Sequence, residues 1–159
     1  MIRQAVGAII FQNSEFLLVH KVKISDIEGE YNLSKGEWDF PKGGLKHTDN
    51  DLESAILREL EEETGSKKFI VMKQMEDKIC FEFPEELKVK TGFEKQETTM
   101  FYVEYIGDRT DLNPKDNEIS QVQFFKTQDI LSILSHDDTK NFFEVLIQKM
   151  HWNLSECVI

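Results

Sequence analysis

Near the start of the chain the hydrophobic positions fall in short β-branched or aromatic runs. Val6 to Phe11 and Phe16 to Val19 are two such runs, separated by Gln12-Asn13-Ser14-Glu15. They predict two antiparallel strands joined by a short polar turn. Lys23 to Glu37 is polar and carries Gly29 and Gly36, the pattern of a surface loop leading to a short strand at Trp38 to Phe40. Pro41 ends that strand, and Lys42-Gly43-Gly44 is read as a turn.

The period then changes. From Asp51 to Thr64 there is no glycine or proline, and Leu52, Ala55, Ile56, Leu57 and Leu60 recur at helical spacing with Gly65 placed to cap the end. Lys68 to Ile79, Glu97 to Ile106 and Gln121 to Phe125 read as strands, with Glu85 to Lys95 as a connecting loop. Lys126 to Leu134 and Asp138 to Met150 have helical periodicity, with Thr127 and Asp137 or Asp138 as N-caps. Strands and helices mixed without strict alternation predict the α/β class, a layered sandwich built on a sheet.

A length of 159 residues with 40% hydrophobic content suits one domain, placed at 1–150 and followed by a tail at 151–159. The tail is read as loose or as a dimer contact, so monomer and homodimer both stay open. A net charge of −11 argues against a general nucleic-acid scaffold, since phosphate backbones repel such a surface. Cys80 and Cys157 match neither a zinc spacing nor a disulfide framework. Met1-Ile2-Arg3-Gln4 begins no leader-like segment and no stretch reaches bilayer-spanning length, so a soluble, cytoplasmic protein is expected, with no membrane partner.

The chemistry concentrates on the 51–64 helix. At 100° per residue Glu59, Glu62 and Glu63 fall within an arc of roughly 100°, so three carboxylates converge. Glu59 and Glu63 point between Ala55 and Ile56, toward the apolar side, where an unpaired carboxylate costs several kcal/mol. The alternative is a solvated acidic run, which is the reading taken for Glu61. Clustered carboxylate oxygens are what hard Mg2+ or Mn2+ prefers, and such sites recruit substrate phosphates.

Gly44-Leu45-Lys46-His47-Thr48-Asp49-Asn50 followed by Arg58-Glu59-Leu60-Glu61-Glu62-Glu63-Thr64-Gly65 resembles the Nudix box, G-x5-E-x7-R-E-U-x-E-E-x-G-U. Two positions depart from it. Asn50 stands where the family has a glutamate, and Ser66 where it has a bulky apolar residue. Asp49 and Asp51 flank Asn50 and are read either as replacement carboxylates or as helix caps.

The resemblance implies a Nudix-type α/β/α sandwich with a mixed sheet, and a Mg2+ (or Mn2+) cofactor held by Glu59, Glu62 and Glu63 with the Gly43 backbone close by. It also implies that Arg58 orients a carboxylate and that Glu59 is the first candidate for general base, giving Glu59, Arg58 and Glu62 as the catalytic set. Trp38-Asp39-Phe40-Pro41-Lys42-Gly43-Gly44 resembles the entry segment of two branches, bis(5′-nucleosyl) tetraphosphate hydrolases and RNA pyrophosphohydrolases. In those branches a later acidic residue completes the metal site, a place matched by Glu118, and Arg3, Lys42 and Lys95 match groups near the phosphates. Phe81 and Phe83 alternate along a strand and offer either a ring for base stacking or core packing. None of His20, His47, His136 and His151 shows a metal spacing.

The expected function is therefore metal-dependent hydrolysis of a phosphoanhydride in a small-molecule nucleotide, foremost a dinucleoside tetraphosphate. The alternative substrate is 5′-triphosphorylated RNA, and the alternative class is a non-catalytic Nudix-like nucleotide-binding module, which Asn50 alone supports. Substrates as dense in charge as diphosphoinositol polyphosphates call for more cations than Lys67-Lys68 provides.

Overall fold

Strands β1 (Ile2–Gln12) and β2 (Glu15–Asp26) form the first hairpin, closed by a two-residue turn in which Asn13 takes the left-handed conformation at φ 56°. This is a computed structural model. It describes the backbone of residues 1–26 and 29–157 and the side chains of residues 1–22 and 35–150.

The remaining elements are β3 (Gly29–Asp39), β4 (Lys42–Gly44), α1 (Leu52–Thr64), β5 (Phe69–Glu82), α2 (Glu85–Thr91), β6 (Lys95–Tyr105), β7 (Ile119–Lys126), α3 (Thr127–Ile133) and α4 (Asp137–Cys157). The sheet runs β3-β2-β1-β6-β5, with β4 added to β1 and β7 to β2. It is mixed: β1 and β6 lie parallel, with Arg3 opposite Gln96, while the other pairings are antiparallel.

Alternation along β1 sends its side chains to two faces, and both are covered. Val6, Ala8 and Ile10 pack with Ala55, Ile56 and Leu60 of α1. Ile9 packs with Met100, with Ile130 and Leu134 around α3, and with Phe143 of α4. The α/β/α sandwich is thus present, with the acidic helix on one face and α3 and α4 on the other.

Helix α1 begins where its sequence says it should. Asp51 is the N-cap and accepts from the Ser54 N–H, and Gly65 at φ 83° donates its own N–H to Glu61 O.

Several expectations are corrected. The stretch Lys23 to Glu37 is strand over most of its backbone, because β2 and β3 pair with each other for much of their length and backbone pairing tolerates polar side chains. Lys42-Gly43-Gly44 is a short strand, with Val6 opposite Gly43, rather than a turn. Glu85 to Lys95 contains helix α2: Pro84 starts it, Glu85 and Glu86 sit in its first turn, Lys88 and Lys90 in its last, and Gly92 ends it at φ 76°. Lys126 rather than Thr127 caps α3, and the Thr127 hydroxyl donates to Ser14 O instead. Helix α4 runs past Met150 to Cys157; the dimer-contact reading of 151–159 concerns side chains outside those described. No helix among the described residues is long and apolar enough to cross a membrane.

Candidate active site

Pairing of β4 with β1 lays the Gly43-Gly44 backbone against α1, and both glycines are required by what approaches them. A Cβ on Gly43 would lie 2.0 Å from the Glu59 carboxylate carbon, and one on Gly44 would lie 2.7 Å from Arg3 Nη2. The Glu59 carboxylate therefore presses on bare backbone from one face of the sheet and the Arg3 guanidinium from the other.

Arg58 ties this cradle together. Its Nε and Nη2 make a two-pronged bond to Asp49 at 2.8 and 2.9 Å, Nη2 also reaches Gly44 O at 3.2 Å, and Nη1 donates to Glu59 Oε1 at 2.9 Å. Glu62 stands further off, its oxygens 3.5 Å from Nη1, with Lys46 Nζ at 3.4 Å on its outer side. The Arg58 guanidinium, hydrogen-bonded to Asp49 and backed by a bond from Lys46 N–H, holds the Asp49 carboxyl down at about 2. Asp49 thus gives Arg58 its acidic partner, Asp51 caps the helix, and Asn50 is exposed beside them.

Glu63 is strongly perturbed. It is 3% exposed, and its Oε2 is the one buried side-chain polar atom without a hydrogen-bond partner among the described residues. Burial pushes its carboxyl up to about 8; the charge of Lys21 opposes that rise, while Glu59, Asp116 and Asp39 add to it. Burial also raises Glu59, against the hydrogen bond and charge of Arg58.

Lys21, on β2, is the cation that looks into the cluster. Burial alone would lower it, yet the combined negative field of Glu63, Asp39, Glu118 and Glu59 outweighs this and leaves it raised. Asp39, 5% exposed, lies 3.9 Å from Lys21 Nζ and 3.2 Å from Lys42 Nζ. Lys42 also donates to Thr139 Oγ1 at 2.7 Å, and burial lowers its pKa. Its ammonium is thus committed to a strut between the β3–β4 junction and α4.

Among the predicted residues, Glu59, Glu62, Arg58 and Gly43 come together directly. Glu63 and Glu118 join them through the field they share at Lys21. Glu118 N–H donates to Asp116 Oδ1 at 2.9 Å, at the edge of the cluster. Arg3 donates to Gln96 Oε1, and Gln96 is paired in register with Phe81 on β5, so the three form one row across the sheet. Phe81 is exposed and edge-on to Phe83 at 5.2 Å, which removes it from the core. Lys95 lies apart, paired with Glu97 at 3.6 Å, and Glu61 is held by Lys115 at 3.0 Å outside the arc. Sequence reasoning missed Asp39, Lys21 and Gln96. A lysine two residues beyond Val19, on the buried face of β2, was the available signal.

The donor chemistry suits a hard divalent cation: carboxylate oxygens, one of them buried and unpartnered, beside bare glycine backbone. Among the described residues no group of three or more His, Cys, Asp or Glu side chains is already drawn together as a cage. Mutual repulsion of carboxylates and the grip of Arg58 on Glu59 explain that spacing physically. A cavity of about 630 Å3 lies elsewhere, between β5 and α4, lined by Ile79, Cys80, Tyr102, Phe142 and Leu146 among others. None of the acidic cluster lines it; Ile79, two residues before Phe81 on the same face of β5, forms part of its wall.

The NUDIX domain family matches residues 1–146, and the chain belongs to the Nudix family. An RNA pyrophosphohydrolase from Bartonella bacilliformis is 28% identical over 113 residues, 69% of this chain, and the matched stretch spans 65% of that enzyme's length. Among solved structures, a NUDIX hydrolase from Nitrosomonas europaea superposes with a TM-score of 0.68 at 17% identity, over 91% of this chain and 87% of that one. A C. elegans Ap4A hydrolase binary complex gives 0.64 at 16% identity, over 94% and 98%. The two structures are similar in fold.

Proposed function

We propose that this chain is a divalent-metal-dependent hydrolase that cuts a phosphoanhydride bond in a nucleoside polyphosphate, with a dinucleoside tetraphosphate as its foremost substrate. The observation that carries the reading is the unpartnered Glu63 Oε2, buried within the field of Glu59, whose own carboxylate lies against the bare Gly43 backbone, because a carboxylate so placed is stable only with a cation or a proton.

Glu59, Glu62 and Glu63, with Glu118 and the Gly43 carbonyl, would hold the ion. When bound, Mg2+ or Mn2+ neutralises charge on the phosphate oxygens and acidifies water. Arg58 fixes Glu59 through Oε1, leaving Oε2, which accepts no hydrogen bond among the described residues, to take the proton of the attacking water. Arg3 is aimed beside Gly44 by Gln96, in position to pair with a phosphate arriving over the glycine backbone. Phe81, at the end of that row, offers its ring to a base, and the cavity beyond it offers room.

A net charge of −11 and the commitment of Lys42 to Asp39 and Thr139 leave few cations to follow a long phosphate backbone, which favours a free nucleotide. The similarity to the Bartonella bacilliformis enzyme supports the second reading, removal of pyrophosphate from 5′-triphosphorylated RNA. The test is product release from diadenosine tetraphosphate, nucleoside triphosphates, ADP-ribose and 5′-triphosphorylated RNA with Mg2+ and with Mn2+. Preferential cleavage of the tetraphosphate supports the first reading, preferential cleavage of the RNA the second, and silence with metal bound the non-catalytic module.

A further inference from the structure

Ser66 stands where the Nudix motif has a bulky apolar side chain, and the structure gives that departure a use. It is 1% exposed, and its hydroxyl donates to Asp111 Oδ2 at 2.5 Å while accepting from Lys68 N–H at 3.0 Å. The other Asp111 oxygen accepts from the Tyr105 hydroxyl, which itself accepts from Arg109 N–H at 2.9 Å. One carboxylate therefore joins the residue just past α1 to the last residue of β6.

Beyond Asp111 the chain is laid along the C-terminal end of α1. Asn113 N–H donates to Thr64 O at 2.8 Å, and Lys115 and Asp116 N–H both donate to Glu62 O, at 3.1 and 3.0 Å. These bonds satisfy carbonyls that the end of a helix leaves open. The approach is so close that a Cβ on Gly65 would lie 2.0 Å from Asn113 O. Asp116, which adds to the negative field at Glu63, then accepts from Glu118 N–H, and Glu118 O accepts from Val22 N–H at 2.8 Å. An apolar residue at 66 could pack but could offer no proton to Asp111, so the serine converts a packing position into a tether.

We propose that Ser66, Asp111 and Tyr105 form a clasp that docks residues 106–118 on the end of α1 and so positions Asp116 and Glu118 beside Glu63. They are positioning residues, since none of the three touches the acidic cluster. The docking stands on the hydrogen bonds alone; its consequence for the site rests on the cluster being a cation site, as argued above.

The test uses the full chain and two variants that each remove one hydroxyl from opposite sides of Asp111, Ser66→Ala and Tyr105→Phe. Two readouts are taken: amide hydrogen exchange, and Mn2+ affinity by calorimetry. In both variants the Asn113, Lys115 and Asp116 amides should exchange about tenfold faster, while those of Leu57 to Leu60 inside α1 keep their protection. The Mn2+ dissociation constant should rise roughly tenfold, the usual effect of losing outer-shell support. Unchanged exchange at those amides overturns the docking. Faster exchange with wild-type Mn2+ affinity overturns the positioning. A wild-type chain that binds no Mn2+ overturns the cation-site reading instead, and the clasp is then decided by the exchange result alone.

Discussion

The backbone of Gly43 and the carboxylate of Glu59 are packed so tightly that a single methyl group on residue 43 would sit 2.0 Å from the carboxylate carbon. Gly43→Ala must therefore push Glu59 out of its place against β4. No positive φ attaches to Gly43, so the backbone itself accepts alanine and the strain falls on the carboxylate. The expected outcome is a folded protein whose kcat/KM falls on the order of a hundredfold, since displacement of a positioned group by about 1 Å is enough for that. Circular dichroism and initial rates measured together check it.

The two-pronged bond between Arg58 and Asp49 predicts that charge alone will not serve at position 58. Arg58→Lys keeps the charge but cannot span Asp49, Gly44 O and Glu59 at once. Turnover should drop roughly ten- to a hundredfold, as expected for loss of a group that orients a ligand, with KM changing little. A full kcat and KM determination separates the two effects.

The Glu63 carboxyl sets a pH dependence of stability. Its folded value of about 8 lies above its ordinary 4.5, so the folded chain keeps a proton that the unfolded chain gives up. The stability it contributes is fully present below about 4.5 and is lost as pH rises through about 8. Without divalent cations, Tm should fall across that window; saturating Mg2+ should offset the fall, because an ion replaces the proton. Glu63→Gln, neutral throughout, should show a smaller fall and a smaller Mg2+ effect on melting, leaving only what Glu59 and the other carboxylates contribute. An identical pH profile in that variant removes Glu63 as the cause.

Arg3, Gln96 and Phe81 form a row that predicts effects on binding more than on turnover. Phe81→Ala should raise KM for nucleotide about tenfold, the lower part of the range for one lost base stack. Because Phe81 is exposed, melting should move little. Arg3→Ala should raise KM by a similar factor, and more at low salt than at high salt. Steady-state kinetics at two ionic strengths test both.

Much of the candidate site lies on α1, and that helix was legible in the sequence because its caps, Asp51 and Gly65, and its apolar spacing are local signals. That Glu59, Glu62 and Glu63 share one side of α1 followed from helical geometry alone, although the three side chains are not drawn together as a cage. Features set by distant partners were not readable. Asp39 is held between Lys21 and Lys42 from neighbouring strands, and Lys42, which looked free to meet phosphate, is spent on Asp39 and Thr139. Ser66 read only as a departure from the motif, because its partner, Asp111, lies far along the chain. Helix α2 was hidden for a local reason: seven residues with no buried face give no apolar period to detect. The polar stretch before Trp38 read as loop because its strand character comes from pairing with β2, not from its side chains.

The most direct test is hydrolysis of diadenosine tetraphosphate as Mg2+ is titrated, for the wild-type chain beside Glu62→Gln and Glu63→Gln. The wild-type rate should rise to saturation with Mg2+ and vanish with chelator. Each variant should keep its fold while kcat falls by about two orders of magnitude or more, as loss of cation-mediated charge stabilisation requires. Wild-type turnover that persists under chelation, or near-normal turnover in both variants, would contradict a hydrolytic site built on the α1 carboxylates.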